Sequence, residues 1–275
     1  MSGRMEGKVA LVTGAARGQG RAHAVRLAQE GADVIAVDVC AGFDNTQYPA
    51  ATKADLDETV RQVEALDRRI VAHVADIRDL AGLTAAVESG VAELGHLDVV
   101  VANAAIVVVA PYDQVTPAIW QEVIDVNLTG TWNTVMAAVP HLVAAGGGSI
   151  VLVSSVAGLK GLPFLVPYVA AKHGVVGLMR GFATELAKHR IRVNTLHPTA
   201  TDTPMNHMES PEGAAHPIEA DPKVAPMLWN HLLDLGPVGM VDPVDQSNGV
   251  LFLASDESRF VTGVTLPVDA GCSAF

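Results

Sequence analysis

The chain has 275 residues, of which 30 are acidic and 18 basic, for a formal net charge of -12. That balance repels polyanions, so nucleic acid and anionic membrane surfaces are poor partners and small molecules remain. With 49% hydrophobic and 17% charged residues, and no internal repeat, low-complexity tract or linker, the composition predicts a single well-cored domain over 1–275.

Cys40 and Cys272 lie far apart without metal-type spacing and read as reduced thiols. The opening "MSGRMEGKVALVTG" turns to glycine too soon for the apolar core of a signal peptide, and no stretch is long enough to span a bilayer. A cytoplasmic protein is expected. His197, His207, His216 and His231 show no i, i+4 pairing, so no metal site is predicted.

The first predicted strand, "KVALVT" (8–13), runs into "TGAARGQG" (13–20), which places Gly14, Gly18 and Gly20 in the turn before a helical stretch, 20–31. Glycines there permit positive φ and close approach of a pyrophosphate, whose charge the helix N-terminal amides receive. Arg17 and Gln19 sit in the same turn. The second strand, "DVIAVD" (33–38), ends at Asp38, eighteen residues after Gly20. A carboxylate there accepts the adenosine ribose hydroxyls of a dinucleotide and repels a 2′-phosphate. Arg17 pulls the other way, since it could pair with that phosphate. The carboxylate weighs more, and NAD rather than NADP is predicted.

After Asp38 and Val39 the chain spends residues 39–58 before the next helix, more than such connections need. The third strand (69–76) brings Asp76 and Ile77 to the adenine side, with an N-cap as the alternative role for Asp76. A helical stretch (80–95) and a fourth strand, "LDVVVANA" (97–104), follow, with Asn103, Ala104 and Ala105 at its end. A long helical region (117–145) includes Asn127, and the fifth strand (148–155) ends at Ser155. Thirteen residues on, "YVAAK" puts Tyr168 and Lys172 at i and i+4, neighbours on one helix face. The sixth strand (191–198) ends at Pro198, and the last is 263–269. Strands alternating with helices predict an α/β Rossmann fold, a doubly wound parallel sheet of about seven strands covered on both faces. Residues 199–239, with six prolines and three methionines, resemble a flap over a site.

Together "TGAARGQG", "NAA", Ser155 and "YVAAK" resemble the short-chain dehydrogenase/reductase pattern, in order and over essentially the whole chain. The resemblance implies Tyr168 as acid/base, Lys172 lowering its pKa and holding the nicotinamide ribose, and Ser155 binding the substrate oxygen. It further implies that the Asn127 side chain and a water connect Lys172 to solvent. "HPTATDTPM" (197–205) is similar to the family's segment against the carboxamide, with Pro198, Thr201 and Thr203 as contacts. Thr199 and Ala105 stand where glycine is usual, which puts the backbone near the nicotinamide in question. A serine hydrolase is not supported, because no G-x-S-x-G surrounds Ser154 or Ser155.

Several stretches, among them "GAARGQGRAHAVRLAQEGADVIAVDVC" and "YVAAKHGVVGLMR", resemble the mycofactocin-associated branch, which includes carveol dehydrogenases. That implies NAD held without exchange and reoxidised by mycofactocin, and residues 39–58 offer a route to retention if they fold over the dinucleotide. An apolar secondary alcohol or its ketone is expected as substrate, under a cover of Met205, Met208, Met227, Leu228 and Trp229. The family resemblance also implies a homotetramer built on the helices around 117–145 and 167–189. An ordinary dehydrogenase with freely exchanging NAD and a non-catalytic dinucleotide sensor both remain open.

Overall fold

The computed structural model describes residues 3–207, 223, 227 and 230–274. Seven parallel strands form one sheet in the order β3-β2-β1-β4-β5-β6-β7. They are β1 (Val9–Thr13), β2 (Asp33–Asp38), β3 (Ile70–Val74), β4 (Val99–Ala102), β5 (Gly148–Val153), β6 (Ile191–Pro198) and β7 (Thr265–Val268). Each lies within its predicted span, because short β-branched runs bounded by turn residues suit a strand buried on both faces. β1, β4 and most of β2 and β5 are buried throughout, whereas β3 and β7 at the edges are half exposed. Pro267, which has no amide proton to give, sits in the edge strand β7, where no further ladder needs it.

Helices cover both faces: α1 (Gly18–Gln29), α2 (Lys53–Glu64), α3 (Leu80–Leu94), α4 (Pro117–Ile124), α5 (Gly130–Ala144), α6 (Val166–Leu186) and α7 (Pro243–Ala254). One core layer joins the sheet to α3, α5 and α6 through residues such as Leu83, Val135, Leu142 and Met179. The other joins it to α1, α2 and α7 through Leu27, Leu56, Val63 and Leu251. Strand order reverses between β1 and β4, and ligands of open α/β sheets bind outside the carboxyl ends of the strands at such a switch point.

Two predicted boundaries change. The connection expected over 39–58 ends at Thr52, which caps α2 in a reciprocal box with Asp55, so residues 53–58 are already helical. The helical region expected over 117–145 is interrupted by a π-helical turn, Asp125–Thr129, which carries Asn127. Such turns widen a helix locally and occur often at functional sites.

Candidate active site

The carboxyl edge of β1, β2, β4, β5 and β6 opens into a cavity of about 630 Å3. Gly14 and Gly18 both have positive φ, +69° and +54°. A Cβ on Gly20 would stand 1.9 Å from the Gly14 carbonyl oxygen, and one on Gly14 would stand 2.8 Å from Ala104 Cα. Only glycine fits where the turn closes on α1 and β4. Asn103 braces this turn: its Nδ2 donates to Thr13 O at 3.0 Å, and its backbone N donates to Thr13 Oγ1 at 3.1 Å. The glycines, Gln19, Asn103, Ala104 and Ala105 all line the cavity, and Gln19 Oε1 is a buried acceptor with no protein partner among the described residues. The glycine cradle admits a ligand's phosphates, while the orphan oxygen calls for a donor such as a hydroxyl or amide N–H.

Asp38, only 7% exposed, accepts one backbone N–H on each oxygen, Ala16 at 3.0 Å and Cys40 at 2.9 Å. Each oxygen keeps lone-pair capacity for a hydroxyl. Val39 lines the wall beside it. The Arg17 guanidinium is committed to the carbonyls of Pro49 and Ala50. Those bonds use donors that Arg17 would otherwise offer a 2′-phosphate.

Asp76 and Ile77 also line the cavity. Asp76 does not cap α3, a role taken by Asp79; it holds Arg78 through Nε at 2.8 Å and Nη2 at 2.6 Å. Arg78 in turn lies 4.9 Å from the ring centre of Phe43, a cation–π contact. Phe43, Thr46, Tyr48, Ala50 and Ala51 line the same cavity. The long connection therefore lies over the site, fastened at Arg17 and Arg78.

Ser155, Tyr168 and Lys172 line the same cavity, at β5 and α6, across β4 from the glycine turn in strand order. Ser155 lies two residues beyond β5 and caps a short 3-10 turn, its hydroxyl accepting from Ala157 N at 3.1 Å. Lys172 is 1% exposed, and its Nζ donates to Val153 O at 2.8 Å, 5.5 Å from the centre of the Tyr168 ring. Burial lowers the Lys172 ammonium to about 7. Burial also pushes the Tyr168 phenol up to about 12; a hydrogen bond to Ser155 works against this and nearby Tyr48 adds to it. For the protein groups alone, desolvation dominates both side chains, and one of the three ammonium donors is used on a main-chain carbonyl.

The lowered lysine has a measurable consequence for protein stripped of nucleotide. Between pH 7 and 10.5 the unfolded chain holds a proton that folded Lys172 has released, so stability rises with pH and declines as pH falls toward 7. Cys40, Tyr48 and Tyr168, all raised, bring the opposite slope above about pH 9. Urea midpoints are expected to climb from pH 7 to 9, and to climb less in Lys172→Met. Equal slopes would show that Lys172 is not desolvated.

Two further expectations change. Asn127 is buried, but its Nδ2 donates to Ile106 O at 3.0 Å and Val123 O at 2.9 Å, while its Oδ1 accepts from Ile106 N at 3.3 Å. Both amide hydrogens are committed, so the side chain fastens the segment after β4, and Oδ1 alone keeps a lone pair for the expected water. Thr201 does not line the cavity; its hydroxyl turns back to Thr199 O at 3.0 Å. Pro198, Thr199 and Thr203 do line it. Ala105 and Thr199 are absent from the positive-φ residues, so losing the usual glycines costs the backbone nothing there. Of the expected cover, Met205 lines the cavity and Met227 is 60% exposed. Met208, Leu228 and Trp229 lie outside the described residues.

Sequence reasoning weighed His197 only as a metal ligand and missed its positioning role. Its buried imidazole meets Ser155 O at 2.7 Å through Nδ1 and Thr195 Oγ1 at 2.8 Å through Nε2, holding the catalytic candidate's main chain to β6. Its signal was only a histidine at the end of a buried strand. Tyr48 was missed because it lies in the irregular chain between β2 and α2, where no periodicity assigns it a face.

Residues 8–213 match the short chain dehydrogenase family. A (-)-trans-carveol dehydrogenase of Rhodococcus erythropolis is 51% identical over 98% of this chain and 98% of its own length. A short chain dehydrogenase of Mycobacterium paratuberculosis, solved bound to NAD, superposes with a TM-score of 0.94 at 48% identity, covering 99% of this chain and 100% of its own. A carveol dehydrogenase of Mycobacterium avium, solved in complex with NAD, gives 0.89 at 51% identity with the same coverage.

Proposed function

The chain belongs to the short-chain dehydrogenase family, and from that premise we propose that it is an NAD-dependent oxidoreductase interconverting an apolar secondary alcohol and its ketone. The observation that carries the reading is one cavity lined both by the glycine turn with Asp38 and by Ser155, Tyr168 and Lys172. Gly14, Gly18 and Gly20 would admit the pyrophosphate, Asp38 the adenosine ribose, and Pro198, Thr199 and Thr203 the nicotinamide end. When bound, NAD supplies the hydride acceptor and a positive charge near the phenol.

The residues of the chain manage the proton. Tyr168, beside Ser155, gives a proton to a ketone oxygen or takes one from an alcohol. Ser155 donates a hydrogen bond to the oxygen as its charge develops. Lys172 holds the floor of the site through Val153 O and has its remaining donors for the ribose.

In this reading the NAD is retained and reoxidised by mycofactocin, in a cytoplasmic homotetramer. The support for retention is the segment 39–52, which lines the cavity and is fastened by Arg17 and Arg78. Support for assembly is the exposure of Trp120 on α4 with Trp132, Met136 and Val143 on α5. Protein purified without added cofactor, dialysed at length and then precipitated is expected to release one NAD per chain, identified by mass. An empty protein that takes up NAD reversibly would leave an ordinary dehydrogenase.

A further inference from the structure

The segment 39–52 continues past the dinucleotide end of the cavity. Gln47 closes a two-way bond with the Val109 main chain, donating from Nε2 to O at 3.1 Å and accepting from N on Oε1 at 3.1 Å. Next to it, Tyr48 Oη accepts from Val107 N at 3.2 Å. Asn45 Nδ2 adds a bond to Glu122 at 2.9 Å. These contacts bring the Tyr48 ring into a small apolar cluster with Val107, Val109, Leu165, Met205 and Tyr168, the last of which also packs against the core layer of α3, α5 and α6. All six residues line the cavity that holds Ser155.

We propose that Tyr48 is a specificity-determining residue: its ring is a wall of the alcohol subsite and limits the bulk of the apolar body bound beside Tyr168. Burial keeps the phenol neutral, raised to about 12. The hydroxyl serves as the anchor that fixes the ring, through Val107 N, at one depth. The wall is thus borrowed from a segment whose adjoining residues, Pro49 and Ala50, are held by Arg17. Opening the segment removes the wall, and filling the subsite favours the closed segment. A bound ketone should therefore slow nucleotide release, since coupling between two sites is reciprocal. This last consequence rests on the reading that NAD lies beneath the segment; the wall itself does not.

The test is calorimetric titration of the protein, with its nucleotide as isolated, using cyclohexanone as a small probe and camphor as a bulky one. Tyr48→Ala is expected to shift the ratio of the two dissociation constants toward camphor by about tenfold or more, as removal of several ring carbons from a pocket wall should. Tyr48→Phe keeps the ring and should hold the ratio within about threefold, as expected when only the anchoring bond is lost. Tyr48→Leu provides a second reduction in bulk should the alanine protein fold poorly, and NAD content per chain is read for every variant. An unchanged ratio in folded Tyr48→Ala and Tyr48→Leu would overturn the proposal. A shifted ratio in a protein whose wild type gives up NAD on dialysis would keep the wall and remove retention.

Discussion

Tyr168→Phe is expected to lower turnover by about 10²–10⁴-fold while the protein keeps its fold and its NAD content. The ring is retained, so the apolar contacts with Val107, Val109 and Leu165 survive. The hydroxyl alone is lost, and with it the group that hydrogen-bonds Ser155 and can exchange a proton with the substrate oxygen. Because burial holds the free-site phenol up at about 12, Tyr168 is protonated at neutral pH and ready as an acid for ketone reduction. Alcohol oxidation needs the phenolate, so its rate should rise with pH, with an apparent pKa below 12 once a positive charge is bound nearby. The Tyr168→Phe protein should lose that pH dependence together with the rate. Full turnover in this variant would remove Tyr168 from the chemistry. Unaltered nucleotide binding in a wild type without turnover on any alcohol would favour a dinucleotide sensor.

The strands and the glycine turn were legible because a buried parallel strand has a composition of its own, and because Gly14, Gly20 and Asp38 have few other reasons to occur at those spacings. Tyr168 and Lys172 were legible as neighbours on one helix face, whereas joining them to Ser155 as a site rested on the family resemblance. What the sequence could not carry was the direction of side-chain bonds. Asn127 and Thr201 stand where expected, yet each spends its donors on a neighbouring main chain. The desolvation of Tyr168 and Lys172 was not legible for a related reason: proximity in sequence predicts attraction, whereas desolvation depends on everything packed around them. Irregular chain was the least legible. Nothing in "FDNTQYPAA" announces that Gln47 will imitate a strand partner for Val109, since that pairing depends on where residues 106–110 pass.

Arg17→Ala is expected to shorten the residence time of NAD by roughly 100-fold, taking about 1.5 kcal/mol for each of two charge-assisted bonds lost. Arg17 opens α1 from the glycine turn and reaches across to the carbonyls of Pro49 and Ala50, joining the floor of the cavity to the segment above it. The opposite fastening, Arg78 over Phe43, is a cation–π contact near the surface and should hold less. Exchange of bound NAD for isotopically labelled NAD, followed by mass, measures the release rate directly. Arg17→Lys separates two explanations. A planar guanidinium reaches both carbonyls through different nitrogens, whereas an ammonium offers a single charged point. If Arg17 acts as a strap on the segment, lysine should exchange nearly as fast as alanine. If it acts through its charge on the pyrophosphate, lysine should restore slow exchange, and retention would then belong to the glycine turn. Unchanged exchange in both variants would mean that the segment stays closed on the bonds of Gln47 and Tyr48 alone.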